Sequence, residues 1–217
     1  AGAKLPAVPT FVVNDDAGRA ISGVSVAITV SKGNGTLESP TTRTKAGATS
    51  VGTWSLGPKV GLNQLTITVA GLPPLLVSAT ASAGAAAKII PSTPATIEAR
   101  VAEAITPAVA ARVTDAFENP IASAPVTVTL SGGGSARSTL TSDADGAVVV
   151  DDWVLGTVAG PQLLTLRTGA ATFAFTANAS PGAPVKIRLA SGDQQRVPAG
   201  TATAPVIFRI VLAVLSA

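Results

Sequence analysis

Apolar and polar side chains alternate with a period of two along several short stretches of the chain. Val24, Val26, Ile28 and Val30 alternate with Ser25, Ala27 and Thr29, and Val126, Val128 and Leu130 alternate with Thr127 and Thr129. Leu65, Ile67 and Val69 are separated by threonines, and Phe173 and Phe175 stand where Leu75 and Val77 stand earlier in the chain. Successive side chains on a strand point to opposite faces, so the pattern predicts antiparallel strands with one face buried and one wet. Between the runs stand "DDAG" from Asp15, "KGNG" from Lys32, "FENP" from Phe117, "SGGG" from Ser131 and "DADG" from Asp143. These residues tolerate tight or left-handed backbone, and their spacing suits a sandwich of about seven strands.

The pattern is written twice. "WSLGPKVGLNQLT" from Trp54 and "WVLGTVAGPQLLT" from Trp153 hold the only two tryptophans of the chain and share Leu, Gly, Gly and Leu-Thr at equal spacings. "VVNDDAGRAISGVSVAITV" from Val12 answers "RVTDAFENPIASAPVTVTL" from Arg112, and "LPPLLVSATA" from Leu72 answers "AATFAFTANA" from Ala170. A period of roughly 100 residues is too long for a solenoid unit and fits one immunoglobulin-sized sandwich. Each Trp is expected on a central strand, as the large ring of a core otherwise built from Val, Leu, Ile and Ala, where its burial removes up to ~250 Å² from water. Gly57 and Gly61, like Gly156 and Gly160, are expected to bracket a bend that needs positive φ.

A length of 217 residues with 47% hydrophobic content suffices for two cores. Residues 1–84 are expected to form the first sandwich, short of its opening strand, and residues 85–183 the second. Residues 184–217 repeat the start of a module, with Lys186-Ile187 answering Lys88-Ile89 and Val211 answering Val113, before Leu212 and Ala213 replace Thr114 and Asp115. This segment is expected to be an incomplete third module or a strand-donating tail. The whole is predicted to be all-β: tandem immunoglobulin-like antiparallel sandwiches with a partial third module at the C-terminus.

Composition narrows the chemistry. Lys and Arg number 15 against 12 acidic residues, without a dense basic cluster interleaved with aromatics, so no nucleic-acid partner is expected. The chain has no His and no Cys, which removes the commonest general base, the soft nucleophile and the usual transition-metal ligands. No enzyme, no cofactor and no metal are expected. Methionine is absent even at position 1, which fits a processed mature chain, with its export signal removed, or a fragment. The apolar run "APVIFRIVLAVLSA" carries Arg209 and falls short of the ~20 residues a spanning helix needs, so no membrane span is expected.

Five stretches bear on possible sites. "SDADGA" from Ser142 opens like a calcium loop but lacks the later oxygen ligands, and reads as a hairpin turn. Asp151 and Asp152 precede Trp153; strand geometry would point them to opposite faces, as solvated or cross-strand paired charges. "SGGGSA" from Ser131 is followed by no Gly-Lys-Ser/Thr and reads as a flexible hairpin loop, not a phosphate cradle. "NGT" at Asn34 and "NAS" at Asn178 match the glycosylation acceptor pattern and are assigned no role. No catalytic, cofactor-binding or metal residue is therefore nominated.

The motif V-x-D-x-x-G/E-x-x-I leading into an alternating strand, then "T-x-x-G" or "D-A-D-G-A", then W-x-L-G-x-x-x-G-x-x-x-L-T, resembles bacterial immunoglobulin-like domains of the intimin and invasin kind over residues 8–187. The resemblance implies exported tandem sandwiches that serve as stalks or as accessory parts of envelope complexes; it specifies fold better than function. The expected function is a non-catalytic structural protein of the cell envelope or surface: a spacer, or an accessory scaffold subunit docking onto a larger membrane protein complex. Its partners would be other protein subunits, with β-strand exchange through the C-terminal tail as one mode, and its location periplasmic or extracellular on a bacterium. The alternative is an adhesin-type module recognising a carbohydrate or host receptor through its loops; the absence of Tyr argues against sugar stacking.

Overall fold

The computed structural model describes residues 1–191, 193–201 and 203–212 of the chain; Ala213 and the rest of the 213–217 segment lie outside the described residues. All of its regular elements are β-strands, and among the described residues no helix is long and apolar enough to cross a membrane. The chain divides into two compact units.

Unit 1 comprises Ala1–Lys88 together with Thr114–Ile121. Its strands are β1 (Thr10–Phe11), β2 (Val26–Lys32), β3 (Thr36–Glu38), β4 (Thr49–Ser50), β5 (Thr53–Ser55), β6 (Gly61–Val69) and β7 (Leu75–Ala81). β2, β6 and β7 form a three-stranded sheet in that order, while β1 pairs with β4 and β3 with β5. The alternation seen in the sequence places Val26, Leu65 and Ile67 inward, where they join Phe11, Val51 and Trp54 in one core.

Unit 2 comprises Ile89–Val113 and the chain from Ala122 onward. It holds β8 (Lys88–Pro91), β9 (Thr96–Arg100), β10 (Val109–Thr114), β11 (Pro125–Ser131), β12 (Gly134–Ser135), β13 (Thr139–Thr141), β14 (Ala147–Val150), β15 (Val154–Leu155), β16 (Gly160–Thr168) and β17 (Ala171–Ser180). One sheet runs β13-β11-β16-β17-β9, the other β14-β10-β8, and β12 pairs with β15. Val113, Val126, Trp153, Leu164, Leu166 and Phe175 are buried. The last two strands, β18 (Pro184–Ser191) and β19 (Ile207–Leu212), pair among the described residues only with each other.

The repeat holds residue for residue. Thr10 faces Ser50 as Ala110 faces Val149; Ile28 faces Ile67 as Val128 faces Leu166; Leu65 faces Val77 as Leu164 faces Phe175. Because a slip of one residue would turn every buried side chain outward, equal registers at these pairs mean that equivalent positions face inward in both units.

Four expectations need correction. β9 runs parallel to β17, so the sheets are not wholly antiparallel; β9 arrives from β8 in the opposite sheet and need not reverse direction as a hairpin strand must. The tryptophans do not lie on central strands: Trp54 is on β5, whose only strand partner is β3, and Trp153 immediately precedes β15. Asp151 and Asp152 are not on a strand either. "SGGG" and "DADG" close no hairpins, because β11 and β12 belong to different sheets, as do β13 and β14; these turns carry the chain between sheets.

Candidate docking surfaces

The carboxylates are tied into turns and pairs. Asp15 Oδ1 accepts hydrogen bonds from the backbone N–H groups of Ala17 and Arg19 at 3.0 and 2.8 Å, and Asp115 Oδ1 accepts from Phe117 and Asn119 at 2.9 Å each. An Asp side chain folded onto the backbone two and four residues on is supplied by Asp15 of "DDAG" and by Asp115, two residues before "FENP". Asp115 is only 2% exposed, and its Oδ2 also accepts from the Gly84 N–H at 2.9 Å and Asn119 Nδ2 at 2.8 Å. Burial opposes its charge, but the donors from Gly84, Asn119 and Phe117 outweigh burial and lower its pKa to about 2.

The other acidic residues considered in the sequence have similar fates. Asp143 Oδ1 accepts from the N–H groups of Asp145 and Ala147 at 2.9 and 2.8 Å, closing the "DADG" turn on itself. Asp151 and Asp152 do converge, on a cation: Arg137 pairs with Asp151 and donates from Nε to Asp152 Oδ2 at 3.1 Å. Asn178 donates to Glu98 at 2.6 Å, and Asn34 stands in a left-handed turn at φ 55°. Among the described residues no three His, Cys, Asp or Glu side chains are placed to hold a metal.

The repeated Trp phrase serves packing. Gly61 and Gly160 adopt φ of +122° and +123°, as the bend requires. Gly57 and Gly156 are needed for close approach instead: a Cβ on either would overlap the carbonyl of Gly33 or Gly132 in the loop that follows β2 or β11. Each loop is pinned by a buried amide, Asn63 Oδ1 accepting from Gly57 N–H at 2.8 Å and Gln162 Oε1 from Gly156 N–H at 2.7 Å. Asn63 and Gln162 went unnoticed in the sequence because they interrupt the apolar row of β6 and β16; their equal place in both copies was the available signal. Trp54 and Trp153 are each 1% exposed, and neither Nε1 has a hydrogen-bond partner, so the rings serve by bulk.

Two apolar surfaces stand open. In unit 1 a cavity of about 150 Å³ opens between Phe11, Val13, Ile67, Val69, Leu72 and Leu75. Leu72 and Leu75 are 52% and 50% exposed at its mouth. Their surroundings explain it. In unit 2, β9 covers the outer edge of β17 and β8 that of β10; in unit 1 no described strand lies beside the corresponding edges of β7 and β1. The row Leu75, Val77 and Ala79 is accordingly exposed or half-buried, whereas Phe175 and Ala177, the counterparts of Val77 and Ala79, are fully buried. The second apolar surface is β18, where Val185, Ile187 and Leu189 alternate with Lys186, Arg188 and Ala190 and stand exposed.

The architecture is similar to that of several solved structures. The D0–D1 domain of intimin shares 20% identity, covering 77% of this chain and 85% of that one, with a TM-score of 0.33. Invasin, a bacterial integrin-binding protein, shares 20% over 84% of this chain and 38% of its own, with a TM-score of 0.37. InvD of Yersinia pseudotuberculosis shares 19% over 87% and 54%, with a TM-score of 0.46. At such identities the likeness is one of fold. No family model and no curated protein matches the chain.

Proposed function

We propose that the chain is a non-catalytic structural protein of the bacterial cell envelope or surface, acting as a spacer or as an accessory scaffold that docks onto a larger protein assembly. One observation carries this reading: the carboxylates singled out in the sequence are spent on turns and an ion-pair cluster, while apolar side chains stand outward on strands. Asp15, Asp115 and Asp143 hold backbone N–H groups, and Arg137 holds Asp151 and Asp152. Leu62, Leu75 and Leu76 on β6 and β7, and Val149 and Leu163 in unit 2, are exposed apolar residues on strands. Sheet surface of that kind takes protein neighbours and offers little to a small polar substrate.

The test is isolation of the protein from its native envelope under mild conditions. A fixed set of companion proteins in constant proportion supports the scaffold. A hydrolytic or transfer activity that disappears on replacing one carboxylate overturns it.

A further inference from the structure

Unit 1 takes in the turn Thr114–Ile121, which by sequence belongs to the second repeat. Within the unit this turn is held by the loop of residues 58–60, part of the repeated Trp phrase. Asn119 Nδ2 donates to the Pro58 carbonyl at 2.7 Å, the Val60 N–H donates to Asn119 Oδ1 at 3.0 Å, and Lys59 Nζ donates to the Phe117 carbonyl at 2.9 Å. Asn119 is 2% exposed, so its carboxamide must find protein partners, and it finds them in that loop and in Asp115. Neither side of this clamp is written in both repeats. At the place of Asn119 the first repeat has Arg19, whose side chain is 79% exposed and turns back onto Asp15 at 2.8 Å. At the place of Lys59 the second repeat has Val158.

We propose that Asn119 is a specificity-determining residue for the order of the repeats: its carboxamide lets the loop of residues 58–60 accept the turn of the second repeat and refuse a turn of the first repeat's type. This rests on the spacer reading and adds the rule by which one sandwich follows another. A carboxamide presents donors and an acceptor side by side, which suits a backbone carbonyl and a backbone N–H in the same loop. An arginine in its place has donors only. It leaves the Val60 N–H without its acceptor and brings a second cation beside Lys59. Discrimination of this kind comes from what the wrong residue leaves unpaired. The clamp is also directional, because a loop with Val158 in place of Lys59 supplies no ammonium for the carbonyl that Phe117 presents.

Amide hydrogen exchange of the full chain reads the clamp at the Val60 N–H and the second repeat at β16. Asn119→Ala removes the carboxamide, and Asn119→Arg installs the residue of the first repeat, which can pair with Asp115 as Arg19 does with Asp15. In both variants the Val60 N–H is expected to exchange about tenfold faster or more, the equivalent of one hydrogen bond lost, while β16 keeps its rate. A Val60 N–H that stays as protected as in wild type in both variants overturns the proposal, since Asn119 would then serve only its own turn. Protection lost in Asn119→Ala but kept in Asn119→Arg also overturns it, because the loop would then accept either residue. So does a β16 that accelerates as much as Val60, which marks a general loss of stability in place of a released clamp. Each of these failures leaves the spacer and scaffold reading to the native-complex isolation.

Discussion

Gln162 holds the Gly156 N–H inside the second core, and its Nε2 donates to the carbonyls of Gly156 and Val158 at 3.2 and 2.8 Å. Replacing it by Ala leaves the Gly156 N–H unpaired in the core, while the Gly156 carbonyl keeps the Ala102 N–H as its donor, at a cost of about 1–3 kcal/mol. The urea midpoint of Gln162→Ala is expected to fall accordingly, and that of Asn63→Ala likewise in unit 1. Asp115 contributes a pH-dependent share of stability on the acid side. Its carboxyl titrates at about 2 in the folded chain against 3.8 ordinarily, so below the ordinary value the unfolded state binds more protons. Its stabilisation is full above roughly pH 4 and is lost as pH falls toward about 2. Asp115→Asn is expected to lower stability at neutral pH and to flatten the decline across that window, as measured by denaturant unfolding at each pH.

At the scale of the element, equivalent residues have unequal surroundings. Ile89→Ala on β8 is expected to cost about 2 kcal/mol or more, whereas Ile187→Ala on β18 should stay within about 0.5 kcal/mol, because only the first side chain is buried. Comparison of the two unfolding midpoints checks this. The strands themselves were legible: Val26–Val30 and Val126–Leu130 alternate, and alternation follows directly from which face a sheet buries. Their partners were less so. Gly132–Gly134 reads locally as a hairpin turn, and nothing within four residues tells whether the chain returns along its own sheet or crosses to the other. The parallel docking of β9 and the placing of Trp153 beside a two-residue strand likewise depend on contacts distant in sequence. The first sandwich was expected to be short of its opening strand, but the cavity itself was unreadable, because Phe11 and Leu75 look like ordinary core.

For the whole molecule, the account is one of duplication: a single pattern of inward Val, Leu and Ile around one indole, folded once in each unit. Each core has its own Trp, its own buried amide and its own inter-sheet glycine loop, so each stabilises its own sheet. The two differ at their edges, since the five-stranded sheet of unit 2 is closed by β9 and β13 while the three-stranded sheet of unit 1 ends at β7. Cooperative units of unequal edge protection open with unequal free energies. Amide hydrogen exchange of the intact chain tests this most directly. The account predicts two separate slow-exchanging sets, one in β2 and β6 and one in β11, β16 and β17, with β7 exchanging faster than β17. A single slow set confined to one half of the chain, or β7 protected as strongly as β17, would contradict it.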